Sequence, residues 1–192
     1  MNNLQVMVND FLKNYSDCQL KELNFYTEFK TNPKKLIHLI AWAKTSDGKT
    51  HSHQCRIPKN AKQNLENYLL ANYEKLSKMR DFEDLMRGLR GIKGIGTLTC
   101  YDVATRLGIC FGVTPQKVYL HRGTYKGAKN LLGDTKVRGK SFLNLIDFPK
   151  ELQCLTPSQI EDFLCIYRNS ILNMNFSPKK CTRGAATVRK AC

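Results

Sequence analysis

Leu89-Arg90-Gly91-Ile92-Lys93-Gly94-Ile95-Gly96-Thr97-Leu98-Thr99-Cys100-Tyr101-Asp102-Val103-Ala104-Thr105-Arg106-Leu107-Gly108 is the most informative stretch of the chain. Gly91, Gly94 and Gly96 interrupt a pattern that is apolar at helical spacing on both sides, which predicts two short helices joined by a tight glycine bend. The bend is too short for a Walker loop and no G-K-[ST] follows it; a dinucleotide fingerprint would need a preceding strand, and none is predicted. Ile95 is expected to plug the seam between the helices. Small Cys100 is expected to permit their close approach, with Val103, Ala104 and Leu107 facing the core.

Such a bend has a physical use. Glycines let the backbone pass close to a phosphate, and the first-turn N–H groups of the second helix have no intrahelical carbonyl to bond. The helix dipole adds partial positive charge there, so an anion is held without any base being read. Lys93, Gly94, Ile95, Gly96 and Thr97 are therefore the first candidate phosphate-binding residues.

On both sides of this stretch the chain reads as helix. Leu4, Val8, Phe11 and Leu12 recur on one helical face, and Ser16-Asp17 can cap a second helix carrying Leu20, Leu23 and Phe29. Asn32-Pro33 is a cap followed by proline at the first helical position, opening a helix with Leu36, Leu39, Ile40 and Ala43 inward. Residues 45–59 are polar and broken by Gly48 and Pro58, hence a loop. Asn60 opens a long helix, Asp81 caps another, and Thr114-Pro115 is expected to open one more. Thr156, Pro157 and Gln159 form a capping box ahead of Ile160, Phe163, Leu164 and Tyr167. The expected architecture is all-α: a compact multi-helix domain with a helical region 1–80, a hairpin region 81–176 packed with it, and a basic tail 177–192.

Charge narrows the partner. Thirty-one Lys and Arg against sixteen Asp and Glu leave a net +15, which favours a polyanion. The basic residues do not gather on one amphipathic helix, which argues against a membrane surface. No apolar run is long enough to span a bilayer and the N-terminus has no secretion signal, so a cytosolic location is expected. In that setting the eight cysteines, none in a C-x-x-C pair, read as reduced, small, buried residues and not as disulfide partners or an iron–sulfur loop.

The glycine bend resembles the helix-hairpin-helix motif of DNA repair proteins. The likeness extends downstream over about residues 85–135 to the helix-hairpin-helix DNA glycosylase superfamily, whose V-D-T-H segment is matched here by Val118-Tyr119-Leu120-His121. Val118 and His121 agree. The superfamily's catalytic aspartate falls on Tyr119 and its lyase lysine on Leu98, so both catalytic identities are missing. Residues 50–170 also resemble a small bacterial family with an R-I-P segment, a G-I-G hairpin and a V-Y-L-H run, here at Arg56, Gly94 and Val118. The resemblance implies non-sequence-specific binding of double-stranded DNA in repair or defence. A divergent glycosylase or lyase is the enzymatic alternative, and structured RNA an alternative partner.

Lys117, Arg122, Lys126, Lys129, Lys136, Arg138 and Lys140 face a single acid, Asp134, between 117 and 140; Arg122, Lys126 and Lys129 are the candidates for a second phosphate-contacting surface. An enzyme would need a pocket lined by His51, His53 and Gln54 with Asp102, Tyr119 and His121 as catalytic candidates. Each has a plainer reading. His51-Ser52-His53-Gln54-Cys55 lacks the matched second pair of a closed zinc site, so no metal or other cofactor is expected. Asp102 can pair with Arg106 one turn on, His121 can be a satisfied core imidazole, and Trp42 sits at core spacing with Leu39.

Overall fold

A computed structural model describes residues 3–51 and 54–173, which are mostly helical with one small two-stranded sheet. The all-α class expected from periodicity is the class observed. The helices are α1 (Asn3–Asn14), α2 (Ser16–Thr27), α3 (Pro33–Ala41), α4 (Lys59–Ser77), α5 (Phe82–Gly88), α6 (Thr97–Phe111), α7 (Arg122–Leu132), α8 (Asp134–Val137) and α9 (Pro157–Asn173). Strands β1 (Val118–Tyr119) and β2 (Phe142–Leu143) pair antiparallel. The chain divides into two compact units, a middle one of Leu20–Pro115 and a terminal one of Met1–Gln19 with Gln116–Cys192. The junction at residues 80 and 81 falls inside the middle unit. The basic tail from 177 onward lies outside the described residues.

Capping residues set the helix starts of the middle unit. Asn32 accepts a hydrogen bond from the Lys35 backbone N–H, with Pro33 in the first turn of α3. The Asp81 carboxylate accepts from the N–H groups of Glu83 and Asp84 at the start of α5. Leu36, Ile40, Leu65, Leu69, Leu85, Val103, Ala104 and Leu107 are buried to within 1% of full burial and form the unit's interior. Leu20, expected on the apolar face of α2, is 53% exposed, whereas Tyr26 of that helix is buried. Its phenol donates to the Lys44 carbonyl, an anchor that tertiary packing chooses and periodicity does not reveal.

In the terminal unit, Met7, Val8 and Phe11 of α1 join Val118, Leu143, Leu152, Ile160, Phe163, Leu164 and Tyr167 in one core. Leu12 is 42% exposed, so the buried stripe of α1 runs through Met7 instead. The Thr156–Gln159 capping box is present: the Thr156 N–H donates to Gln159 Oε1 at 2.9 Å, and the Gln159 N–H to Thr156 Oγ1 at 3.3 Å.

Thr114-Pro115 opens no helix. Gly112, left-handed at φ 74°, ends α6, and the Val113 N–H returns to the Gly108 carbonyl at 2.8 Å. The residue before a proline avoids helical geometry, and the chain runs on into β1. The next helix starts only at Arg122.

Candidate nucleic-acid interface

The bend between α5 and α6 is built on two glycines with different duties. The Ile95 N–H closes a turn onto the Ile92 carbonyl at 3.0 Å, and Gly94 occupies its third position at φ 85°, which an L side chain rarely adopts. A Cβ on Gly94 would stand 2.7 Å from the Ala61 Cβ, so this glycine also lets the bend pack on the first turns of α4. Gly96 is different. It is the N-cap of α6 at φ −87°, with nothing within 4 Å of where a Cβ would be.

No side chain caps α6 at Gly96. Gly96, Thr97 and Leu98 are exposed, and the first-turn N–H groups of a helix have no intrahelical carbonyl partner. Lys93, Arg90 and Gly94 are exposed as well. No acidic residue occurs between Asp84 and Asp102, so the bend carries cations alone along the chain. Ile95, expected to plug the seam, is only half-buried; Ile92, 8% exposed, is the isoleucine turned inward. Cys100 behaves as expected: it is buried and its thiol reaches the Leu89 carbonyl at 3.3 Å, tying α6 to the end of α5.

Behind the bend lies a buried polar cluster that also belongs to the middle unit. Gln54, 3% exposed, donates from Nε2 to Asp102 Oδ2 at 2.8 Å and accepts at Oε1 from Arg106 Nη1 at 2.7 Å. The expected Asp102–Arg106 ion pair is thus replaced by a bridge through Gln54. The Arg106 guanidinium, itself 5% exposed, also lies 5.8 Å from the Tyr26 ring centre. His51 is half-buried and its backbone N–H bonds the Ala43 carbonyl at 2.9 Å, while His53 lies outside the described residues. Gln54 and Asp102 therefore come together.

Tyr119 and His121 belong to the terminal unit. Tyr119 is 7% exposed and its backbone N–H donates to Glu161 Oε1 at 2.7 Å. His121 is the N-cap residue of α7, stacked on Tyr119 with ring centres 6.4 Å apart. Burial pushes its imidazole down to about 4, so it is neutral at physiological pH. Of the basic candidates, Arg122 and Lys126 are exposed. Lys129 is engaged: its ammonium sits 2.8 Å from Asp134, which also pairs with Arg138. Hydrogen bonding to Asp134 holds the Lys129 ammonium above, and the Asp134 carboxyl below, their ordinary values.

Several polar residues were not legible beforehand. Glu161 is 6% exposed, a buried carboxylate on a helix whose pattern shows only an apolar face. On α3 and α4, Glu66 accepts from the Trp42 indole N–H at 2.7 Å and bonds His38 Nδ1 at 2.9 Å. Lys62, 7% exposed, lies over the Trp42 ring at 5.9 Å, and its removal from water holds the ammonium below its ordinary value. Trp42 is thus half-buried and polar at one edge. Cys100, Cys110 and Cys165 are buried as expected, but Cys55 and Cys154 are exposed. Among the described residues no cluster of three metal-ligating side chains occurs, and no helix is long and apolar enough to cross a membrane. No family model, curated protein or solved structure matches the chain.

Proposed function

We propose that this chain is a DNA-binding protein that grips the phosphate backbone of double-stranded DNA without reading its sequence, in repair or defence. The observation that carries the reading is the uncapped, outward N-terminus of α6 at Gly96, flanked by exposed Lys93 and by no acidic side chain from 85 to 101. First-turn N–H groups, a helix dipole and a lysine together attract an oxyanion. Nothing in that set addresses a base edge. Arg122 and Lys126 supply further exposed cations on the terminal unit. The chain's +15 charge supplies the long-range attraction.

The enzymatic alternative gains less support. Asp102 is bonded by Gln54, Tyr119 is buried in the core, and His121 belongs to the terminal unit while Gln54 and Asp102 belong to the middle one.

Titration of unrelated duplexes of equal length tests the binding reading. Equal affinities are expected, falling at least tenfold between about 50 and 200 mM salt. Absence of binding, or a preference for one base sequence, contradicts it. A structured RNA bound more tightly than duplex DNA would transfer the reading to RNA.

A further inference from the structure

Ile146 is 78% exposed, the most exposed large apolar side chain among the described residues. It does not sit on a loose loop. The 3-10 turn Leu145–Asp147 that carries it is closed at both ends by a reciprocal cap: the Asn144 side chain accepts from the Asp147 N–H, and the Asn144 N–H donates to Asp147 Oδ2 at 2.8 Å. The Phe148 N–H then bonds the Leu145 carbonyl at 3.2 Å. Leu143, paired with Val118 across the ladder, and Phe148 are buried at 1% and 3%, so the turn is anchored in the core on either side. Isoleucine is branched at Cβ and has few rotamers to lose on contact.

The segment that carries this apolar tip is rich in lysine. Lys136, Lys140 and Lys150 are exposed lysines between 134 and 151, while Arg138 is paired with Asp134 and the other two acids are Asp147, which accepts from the Asn144 N–H, and Glu151. Phe142, on the strand that leads into the turn, is 37% exposed and has the Lys117 ammonium 4.3 Å above its ring centre. A protein groove that accepted an isoleucine here would need an acidic rim. Duplex DNA offers both chemistries at once, an apolar base stack bounded by phosphates.

We infer that Ile146 is a prong that inserts between stacked base pairs of duplex DNA while lysines of the same segment hold the flanking phosphates. Inserted aliphatic side chains unstack and kink a duplex in this way, and the bend lets more protein surface reach the backbone. The role rests on the proposed DNA reading and adds to it a local distortion of the duplex. Phe142 and its Lys117 partner border the same strand and would meet the edge of the opened step.

Duplexes carrying a single 2-aminopurine at successive positions, titrated with the full chain, test this inference, because that base brightens when it is unstacked. The wild-type chain is expected to bind and to raise the fluorescence severalfold. I146A, a truncation at an exposed site that leaves the core untouched, should bind about 3- to 30-fold more weakly and lose the rise. L172A, which removes another exposed leucine (65% exposed) on α9, should behave as wild type. Binding by the wild type with no fluorescence change, or an equal change with I146A, overturns the prong and leaves the DNA reading standing. No binding of any duplex by the wild type overturns both. Retained DNA affinity in I146A together with loss of binding to an acidic protein partner would assign the tip to protein docking instead.

Discussion

His121 joins β1 to α7, and its displaced titration gives stability a pH dependence. In the unfolded chain the imidazole takes up a proton near its ordinary 6.5, whereas in the fold it waits until about pH 4. The sign follows: stability is fully present above 6.5 and falls as the pH drops through the window to about 4, by at most about 3 kcal/mol. Urea unfolding at pH 7 and pH 4.5 measures it, with H121Q expected to lose less stability across that interval than wild type. The two bend glycines make different predictions. G94A combines a strained φ with the Ala61 contact, so about 2 kcal/mol of stability or more should be lost in thermal unfolding. G96A meets nothing, and only the poorer N-capping of alanine works against it, so a loss of no more than about 1 kcal/mol, smaller than for G94A, is expected. Residue identity foretold the Asp81 cap and the Thr156–Gln159 box because those bonds are local. The Gln54 bridge to Asp102 and Arg106 spans 48 and 52 residues, and no local pattern encodes it.

Elements with strong amphipathic stripes were legible, and those defined by close approach were not. α7 packs on α9 through Gly123 and Gly127, four residues apart on one face. A Cβ on Gly123 would lie 2.6 Å from Cys165 Sγ, and one on Gly127 only 2.2 Å from the Leu164 carbonyl oxygen. Backbone cannot yield as a side chain can. G127A is therefore expected to lower the unfolding free energy by about 2–3 kcal/mol in chemical denaturation, and an unchanged midpoint would refute the packing argument. In sequence the two glycines look like ordinary helix weakeners, because their reason lies on another helix. Thr114-Pro115 misled in a related way. A proline after threonine is compatible with a helix start and with extended chain, and the Gly112 cap with the core-facing Val118 decided for the latter. For the bend itself, glycine spacing foretold the turn and α6, while the deeper burial of Ile92 than of Ile95 is set by tertiary packing that the local pattern does not encode.

At the scale of the whole chain, charge was the plainest message and partition the least visible. The terminal unit is assembled from both ends of the sequence, a grouping that depends on α1 meeting α9 and carries no local signature. The excess of fifteen positive charges makes the folded state repel itself. Screening should relieve this, so the melting temperature is expected to rise by a few degrees as sodium chloride goes from about 20 mM to about 0.3 M, by calorimetry. Duplex DNA at low salt should raise it too, since a ligand that binds only the folded state stabilises by mass action. The most direct test of phosphate capture at α6 is the duplex affinity of G96D measured beside its thermal stability. Aspartate is a favourable N-cap residue and position 96 has room for it, so the fold should be as stable as wild type or slightly more so. Its carboxylate would occupy the first-turn N–H groups and repel a phosphate, and affinity for every duplex should drop about tenfold or more. A stable G96D chain that binds duplex DNA as tightly as wild type would contradict the account.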